Sequence, residues 1–152
     1  VPKGIYLDTN LLVLLVVGAT KQDLILTHRR TQQFCVDDYH LLNETLDRFR
    51  HIHLTPNTLT EASNLIAQHA EPQRSKLLTN LAKLIRLGRE TLIPSQEAVK
   101  HSLFTRLGLT DVALLEVISP EFPLLTADVK LYLAAQKAGE NTAINFNHLR
   151  FP

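Results

Sequence analysis

The chain has 152 residues, with 16 Lys and Arg against 15 Asp and Glu, a formal net charge of +1, and 45% hydrophobic residues. Such a composition excludes a disordered chain, and the longest apolar run, 11–17, falls far short of the ~18–20 residues needed to span a membrane. The near-neutral charge excludes a strong global pull on nucleic acid, so any such contact requires a local patch.

The length predicts one domain over 1–152, large enough to bury a self-sufficient core. Cys35 is the single cysteine and cannot form an internal disulfide, which favours a reducing, cytoplasmic setting; it is expected to pack as a small hydrophobe. Seven scattered histidines and one cysteine give no zinc spacing. The apolar run 11–17 also lacks the basic flank and cleavage pattern of a secretory signal.

Taken in order, residues 4–8 read as a buried strand, and 10–17 as a helix with Gly18 placed as its C-terminal cap. Residues 19–34 are weakly periodic and read as loop with at most one helical turn. A helix follows over 37–50 with Tyr39, Leu42, Leu46 and Phe49 as its apolar stripe. Together 19–50 forms a helical and loop insertion. A second strand is predicted at 51–54, then a helix from Pro56, which suits a first helical position, to about 70, burying Leu59, Leu65 and Ile66. A further helix covers 73–87 and ends at Gly88. A short strand is read at 91–93, a helix at 95–107 stopped by Gly108, and another at 111–119 with Leu114, Leu115 and Ile118 on one face. The strand 124–126, the helix 128–138 and a last strand 142–146 complete the chain. Strands alternating with helices predict an α/β/α sandwich with a central parallel sheet, all strand carboxyl ends on one edge.

Four acids fall where strands hand over to helices, or in a helix's first turns: Asp8, Glu61, Asp111 and Asp128. Each has an ordinary explanation. Asp8, Asp111 and Asp128 suit helix N-caps or first-turn positions, and Thr58-Leu59-Thr60-Glu61 fits a capping box. Jointly they invite another reading, because ligands of such sheets gather beyond the strand carboxyl ends. Asp8, Glu61 and Asp128 would face one cleft, and Asp111 joins if its helix starts there. Glycine-rich phosphate loops are absent after the first strand, which excludes the usual nucleotide-binding arrangement. Asn10 occupies the place where a haloacid-dehalogenase-like phosphatase needs a second aspartate. A phosphate-receiver domain needs an acid before Asp8, and there is none.

The segments Leu7-Asp8-Thr9-Asn10, Thr60-Glu61 with Asn64, Leu109-Thr110-Asp111 and Leu124-Leu125-Thr126-Ala127-Asp128, in that order and spacing, resemble the PIN-domain nucleases. The resemblance runs from the first strand to the last. It implies that Asp8, Glu61, Asp111 and Asp128 form a Mg2+ or Mn2+ site that cleaves RNA, with Thr126 or Asn10 as supporting hydrogen-bond partners. Asn64, three residues beyond Glu61 on the same helix face, is placed either to orient the site or to hydrogen-bond a neighbouring loop. It further implies a ribonuclease of the toxin–antitoxin type, with a protein antitoxin and a homodimeric state. Two places depart from the compact toxins: the long segment 19–50, and Asn145-Phe146-Asn147-His148 where many carry an aspartate–phenylalanine pair.

Clustered carboxylates suit a hard cation that prefers six oxygens and retains waters. Weaker candidates surround them. Lys76, Lys83 and Arg86 lie opposite Leu77, Leu81 and Ile85 on their helix, and Arg29 and Arg30 lie in the early loop. All five are candidate phosphate contacts, though a solvated surface is the commoner explanation for each. His51 and His53 share one strand face and read as strand-edge surface. The alternative to catalysis is a non-catalytic module of the same fold that binds RNA or protein.

Overall fold

The computed structural model describes residues 2–152. Its five strands are β1 (Gly4–Leu7), β2 (His51–Leu54), β3 (Arg89–Glu90), β4 (Leu124–Thr126) and β5 (Ala143–Asn145). Between β1 and β2 run α1 (Thr9–Thr20), α2 (Leu24–Thr27) and α3 (Val36–Leu46), and between β2 and β3 run α4 (Pro56–Ile66) and α5 (Gln73–Leu87). Then come α6 (Ser95–Ala98), α7 (Phe104–Leu107), α8 (Leu109–Val117), α9 (Val129–Ala138) and α10 (Phe146–Arg150). The strands form one parallel sheet ordered β3-β2-β1-β4-β5. No helix of the described residues is long and apolar enough to cross a membrane.

Strand alternation sorts the two layers. Ile5 and Leu7 point into a core built with α1, α3, α4, α5 and Phe146, while Tyr6 points the other way, against Leu114, Leu131 and Ala135 of α8 and α9. Both faces of the sheet are therefore covered, and the architecture is an α/β/α sandwich. Segment 19–50 is part of the first layer, since Leu24, Ile25, Phe34, Leu42 and Leu46 all enter its core. Each fully buried leucine in these layers contributes roughly 2–3 kcal/mol by leaving water.

Several sequence expectations need correction. Gly18 lies inside α1, which continues to Thr20. Its role is close approach: a Cβ at this position would come within 2.2 Å of the Tyr39 ring of α3. The helix expected over 95–107 is two short helices, α6 and α7, because residues 99–103 leave helical geometry between them. The third strand is Arg89–Glu90 rather than 91–93, as Leu54 pairs with Glu90 and the chain then leaves the sheet towards Pro94. Phe146 opens α10 rather than ending β5, once Asn145 caps the turn by accepting from the Asn147 N–H at 2.9 Å.

Three side chains also lie elsewhere than expected. His53 is not strand-edge surface, because β2 sits between β1 and β3; its ring packs 5.3 Å from Tyr6 and 4.7 Å from Phe122. Burial lowers its pKa, and His51 and Arg89 add to the effect. Cys35 is exposed at the N-terminus of α3 instead of packed. Ile85 is 41% exposed, and Leu84 takes its place against the core.

Candidate functional site

The carboxyl ends of β1 and β4 lie side by side because Leu7 pairs with Leu125. Asp8 and Thr126 therefore leave the sheet together; α1 begins directly after Asp8, and α9 begins two residues beyond Thr126, after Ala127 and Asp128. Asp8 caps α1 through Oδ1, which accepts from the Leu11 N–H at 2.9 Å. Its Oδ2 accepts a short hydrogen bond from the Thr126 hydroxyl and another from the Ala127 N–H at 3.2 Å. Thr126 Oγ1 in turn accepts from the Asp128 N–H at 3.0 Å, and Asp128 Oδ1 caps α9 by accepting from the Leu131 N–H at 3.0 Å. A single buried threonine hydroxyl thus ties together two of the four acids.

The capping explanation is correct for Asp8 and Asp128, but it does not exhaust Asp8. An ordinary N-cap is solvated; Asp8 is only 4% exposed. Burial pushes its carboxyl above the usual range. The bonds from Thr126, Leu11 and Ala127 pull it part of the way back, and Asp128 repels it further.

Glu61 caps nothing. Pro56 takes the first helical position, so α4 starts earlier than the capping box at 58–61 would have it, and Thr55 is the cap, accepting from the Thr58 N–H at 3.2 Å. Glu61 is left one turn further on, where its Oε2 accepts from the Thr110 hydroxyl of α8 at 2.7 Å. That bond joins α4 to the first turn of α8 and sets Asp111 beside the other acids. Asp111 is pushed up to about 7, first by burial and then by repulsion from Asp128, Asp8 and Glu61, with no hydrogen bond to offset them. Four acids, three from helix beginnings and Glu61 from the second turn of α4, thus share one electrostatic neighbourhood.

They do not close into a cage. Among the described residues no three His, Cys, Asp or Glu side chains are set to hold one ion directly. The repulsion at Asp111 and this spacing are compatible for a hard, hydrated cation. Mg2+ commonly keeps several waters and is held directly by one or two carboxylates, the remaining acids acting through those waters. Oxygens not engaged in hydrogen bonds remain on Glu61 (Oε1), Asp128 (Oδ2) and Asp111. The donor set therefore fits Mg2+ or Mn2+ and gives a soft metal no thiolate or imidazole.

Against this site an open depression of about 390 Å3 is lined by Pro56, Asn57, Thr60, Glu61, Asn64 and Thr110. Asn64 is exposed in it, one helical turn beyond Glu61, and Asn10 is exposed in the first turn of α1.

The chain matches no protein-family model and no curated protein sequence. Among solved structures it is similar to PAE2754 from Pyrobaculum aerophilum, with a TM-score of 0.60 and 17% identity over 97% of this chain and 92% of that one. At this identity the likeness is one of fold: the same elements follow one another over nearly the whole length.

Three of the five candidate basic residues line depressions away from the acids. Lys83 lines an apolar cavity of about 470 Å3 together with Leu15, Ile52 and Leu84, beside His51 and Gly88 at the amino-terminal ends of β2 and β3. That is the edge of the sheet opposite Asp8. Lys76 lines a depression with Thr20, at the far end of α1 from Asp8, and Arg29 lines a small one with His69 past the end of α4. Arg30 and Arg86 are exposed. Two site-shaping residues escaped the sequence reading, Thr110 and Asn147. Thr110 had a signal in its place directly before Asp111; Asn147 had only its place in an unexplained polar run.

Proposed function

We propose that this protein is a metal-dependent endoribonuclease of the PIN type that hydrolyses phosphodiester bonds of RNA at the carboxyl edge of its sheet. The observation that carries this reading is Asp111, whose carboxyl is pushed up to about 7 by burial and by three other acids that the topology brings to it. Structural carboxylates are normally given a counter-charge or left in water. This group is drawn partly out of water and has no counter-charge, and a divalent cation would relieve the repulsion.

A bound Mg2+ or Mn2+ would supply a water of lowered pKa and a Lewis acid for the phosphate oxygens. The chain's own residues supply the rest. Asp8 is held rigid by Leu11, Thr126 and Ala127, so its free lone pairs have one direction. Glu61 is fixed by Thr110 at the rim of the depression, where a nucleic-acid backbone has room to approach. The flanking helix N-termini, α1 and α9, add partial positive charge near an incoming phosphate. Purified protein is expected to cleave single-stranded RNA with Mg2+ or Mn2+ and to lose this on Asp8→Asn. Cleavage that survives both that change and chelation overturns the reading.

A second reading, a non-catalytic module of the same fold, draws on one observation: Asp8 and Asp128 both serve as helix caps and no three acids close on one point. Calorimetric titration with Mn2+ separates the two. Absence of binding at millimolar metal favours the module.

A further inference from the structure

The carboxyl-edge acids are connected to the last helix by one side chain that the proposed chemistry does not use. Asn147 Nδ2 donates to the Ala127 carbonyl at 2.9 Å. Ala127 lies between Thr126 and Asp128, and its two peptide planes are both engaged in the site. The plane before it places the Ala127 N–H on Asp8 Oδ2, and the plane after it places the Asp128 N–H on Thr126 Oγ1. The carbonyl that Asn147 holds belongs to that second plane. Rotation of this plane would turn the Asp128 N–H away from Thr126 and re-aim the Asp128 side chain.

Asn147 is itself fixed on every side. Its N–H donates to Asn145 Oδ1 at 2.9 Å, and its Oδ1 accepts from Arg150 Nη1 at 3.2 Å. Arg150 is anchored in turn by a two-point pair with Asp38 of α3, Nε to Oδ1 at 3.0 Å and Nη2 to Oδ2 at 2.9 Å, and by the Gln33 carbonyl at 3.0 Å. The Phe34 ring lies 5.0 Å beneath its guanidinium. A continuous bracket thus runs from α3 through Arg150 and Asn147 to the turn that carries Asp128.

We infer that Asn147 is a positioning residue for the acidic site, locking the Ala127–Asp128 peptide so that Asp8 keeps its orientation and Asp128 presents its free oxygen in one direction. The inference rests on the metal-site reading for its functional consequence, though not for the bracket itself. Asn147→Asp keeps the shape and the acceptor for Arg150 but replaces the amide donor with a charged acceptor that repels the Ala127 carbonyl. Asn147→Ala removes the same donor without adding a charge, so an effect common to both variants belongs to the Ala127 bond.

Two measurements decide. Amide hydrogen exchange on metal-free protein should show the Ala127 and Asp128 N–H groups losing protection at least about tenfold in both variants, while Ile5 to Leu7 of β1 keep theirs. Mn2+ affinity by calorimetry should weaken about tenfold, the usual loss when an outer-shell partner of a metal site is removed. Unchanged protection at Ala127, or an equal loss throughout β1, overturns the positioning role. Selective loss at Ala127 with Mn2+ affinity intact also overturns it, since the bracket would then serve the fold alone. If the unaltered protein binds no Mn2+, the metal-site reading fails, and selective protection loss still establishes the bracket.

Discussion

Two buried carboxylate environments in this protein have opposite electrostatics. Asp38 is taken from water and given a partner. Burial would raise its pKa, but the two-point bond and charge of Arg150 and the Cys35 N–H outweigh it and hold the carboxyl below its ordinary range. Asp111 is taken from water and given rivals, so burial and three acids push it the other way. The first is a finished structural contact. The second is an arrangement whose cost is relieved by a proton or by a bound cation, the physical mark that makes a carboxylate a candidate for a site rather than a strut.

That comparison can be broken in several ways. The largest expected effect is that of Asp8→Asn, which keeps the cap oxygen for Leu11 and removes one charge from the cluster. RNA cleavage in Mn2+ should fall at least ~100-fold, an effect of about 3 kcal/mol on the transition state, while circular dichroism shows the fold retained at a lowered melting temperature, because the amide nitrogen cannot accept from the Ala127 N–H. Next is Arg150→Ala, which strands Asp38 with both carboxylate oxygens partly buried. Chemical denaturation should show a loss of about 2–3 kcal/mol, towards the lower end for a buried pair because both partners keep some solvent contact.

The pH dependences should have opposite signs. Folded Asp111 holds its proton up to about 7, whereas the unfolded chain releases it near the ordinary aspartate value of about 4. The folded state therefore binds more protons in that window, so metal-free stability is fully supported below it and is lost as pH rises through about 7. Asp111→Asn should remove this slope and gain on the order of 1–2 kcal/mol at pH 8, allowing for screening of a part-exposed group. Asp38 contributes the reverse, a stabilisation present above the ordinary carboxylate range and lost as pH falls through its lowered pKa. Thermal melts of the two single variants across pH 3–9 check both signs.

Smaller still is Thr110→Val, which releases Glu61 at the surface. Stability should move by less than ~0.5 kcal/mol while cleavage drops several-fold, a split that separates positioning from folding. Smallest is Lys83→Glu at the opposite edge, for which no change in cleavage is expected; a tenfold loss would mean that RNA reaches round to that face.

Much of this was legible because local signals agreed. Residues 51–54, 73–87 and 124–126 were read to their observed ends, each with a proline or glycine within two residues of one end. The acids at 8 and 128 stood out because a polar residue interrupts an apolar strand. What could not be read depends on partners distant in sequence. Gly18 resembles a helix cap until the Tyr39 ring is seen against it. Glu61 resembles a capping box until Pro56 is seen to start the helix and Thr110 to hold the carboxylate. His53 resembles surface until β2 is known to be an interior strand. Asn147 gives no local sign of its task, because its partner Ala127 offers only a backbone carbonyl.

The strand order has a consequence for synthesis. β1 emerges first yet lies at the centre of the sheet, and Asp8 meets its hydroxyl partner Thr126 only after 118 further positions. Loop closure over such a distance is entropically slow, and parallel pairing cannot be nucleated by a hairpin. During translation the nascent chain therefore carries the Asp8 half of its acidic edge without the Asp128 half for most of its length. The four acids can therefore meet only after β4 and its following turn have been made, whatever chemistry they then carry out.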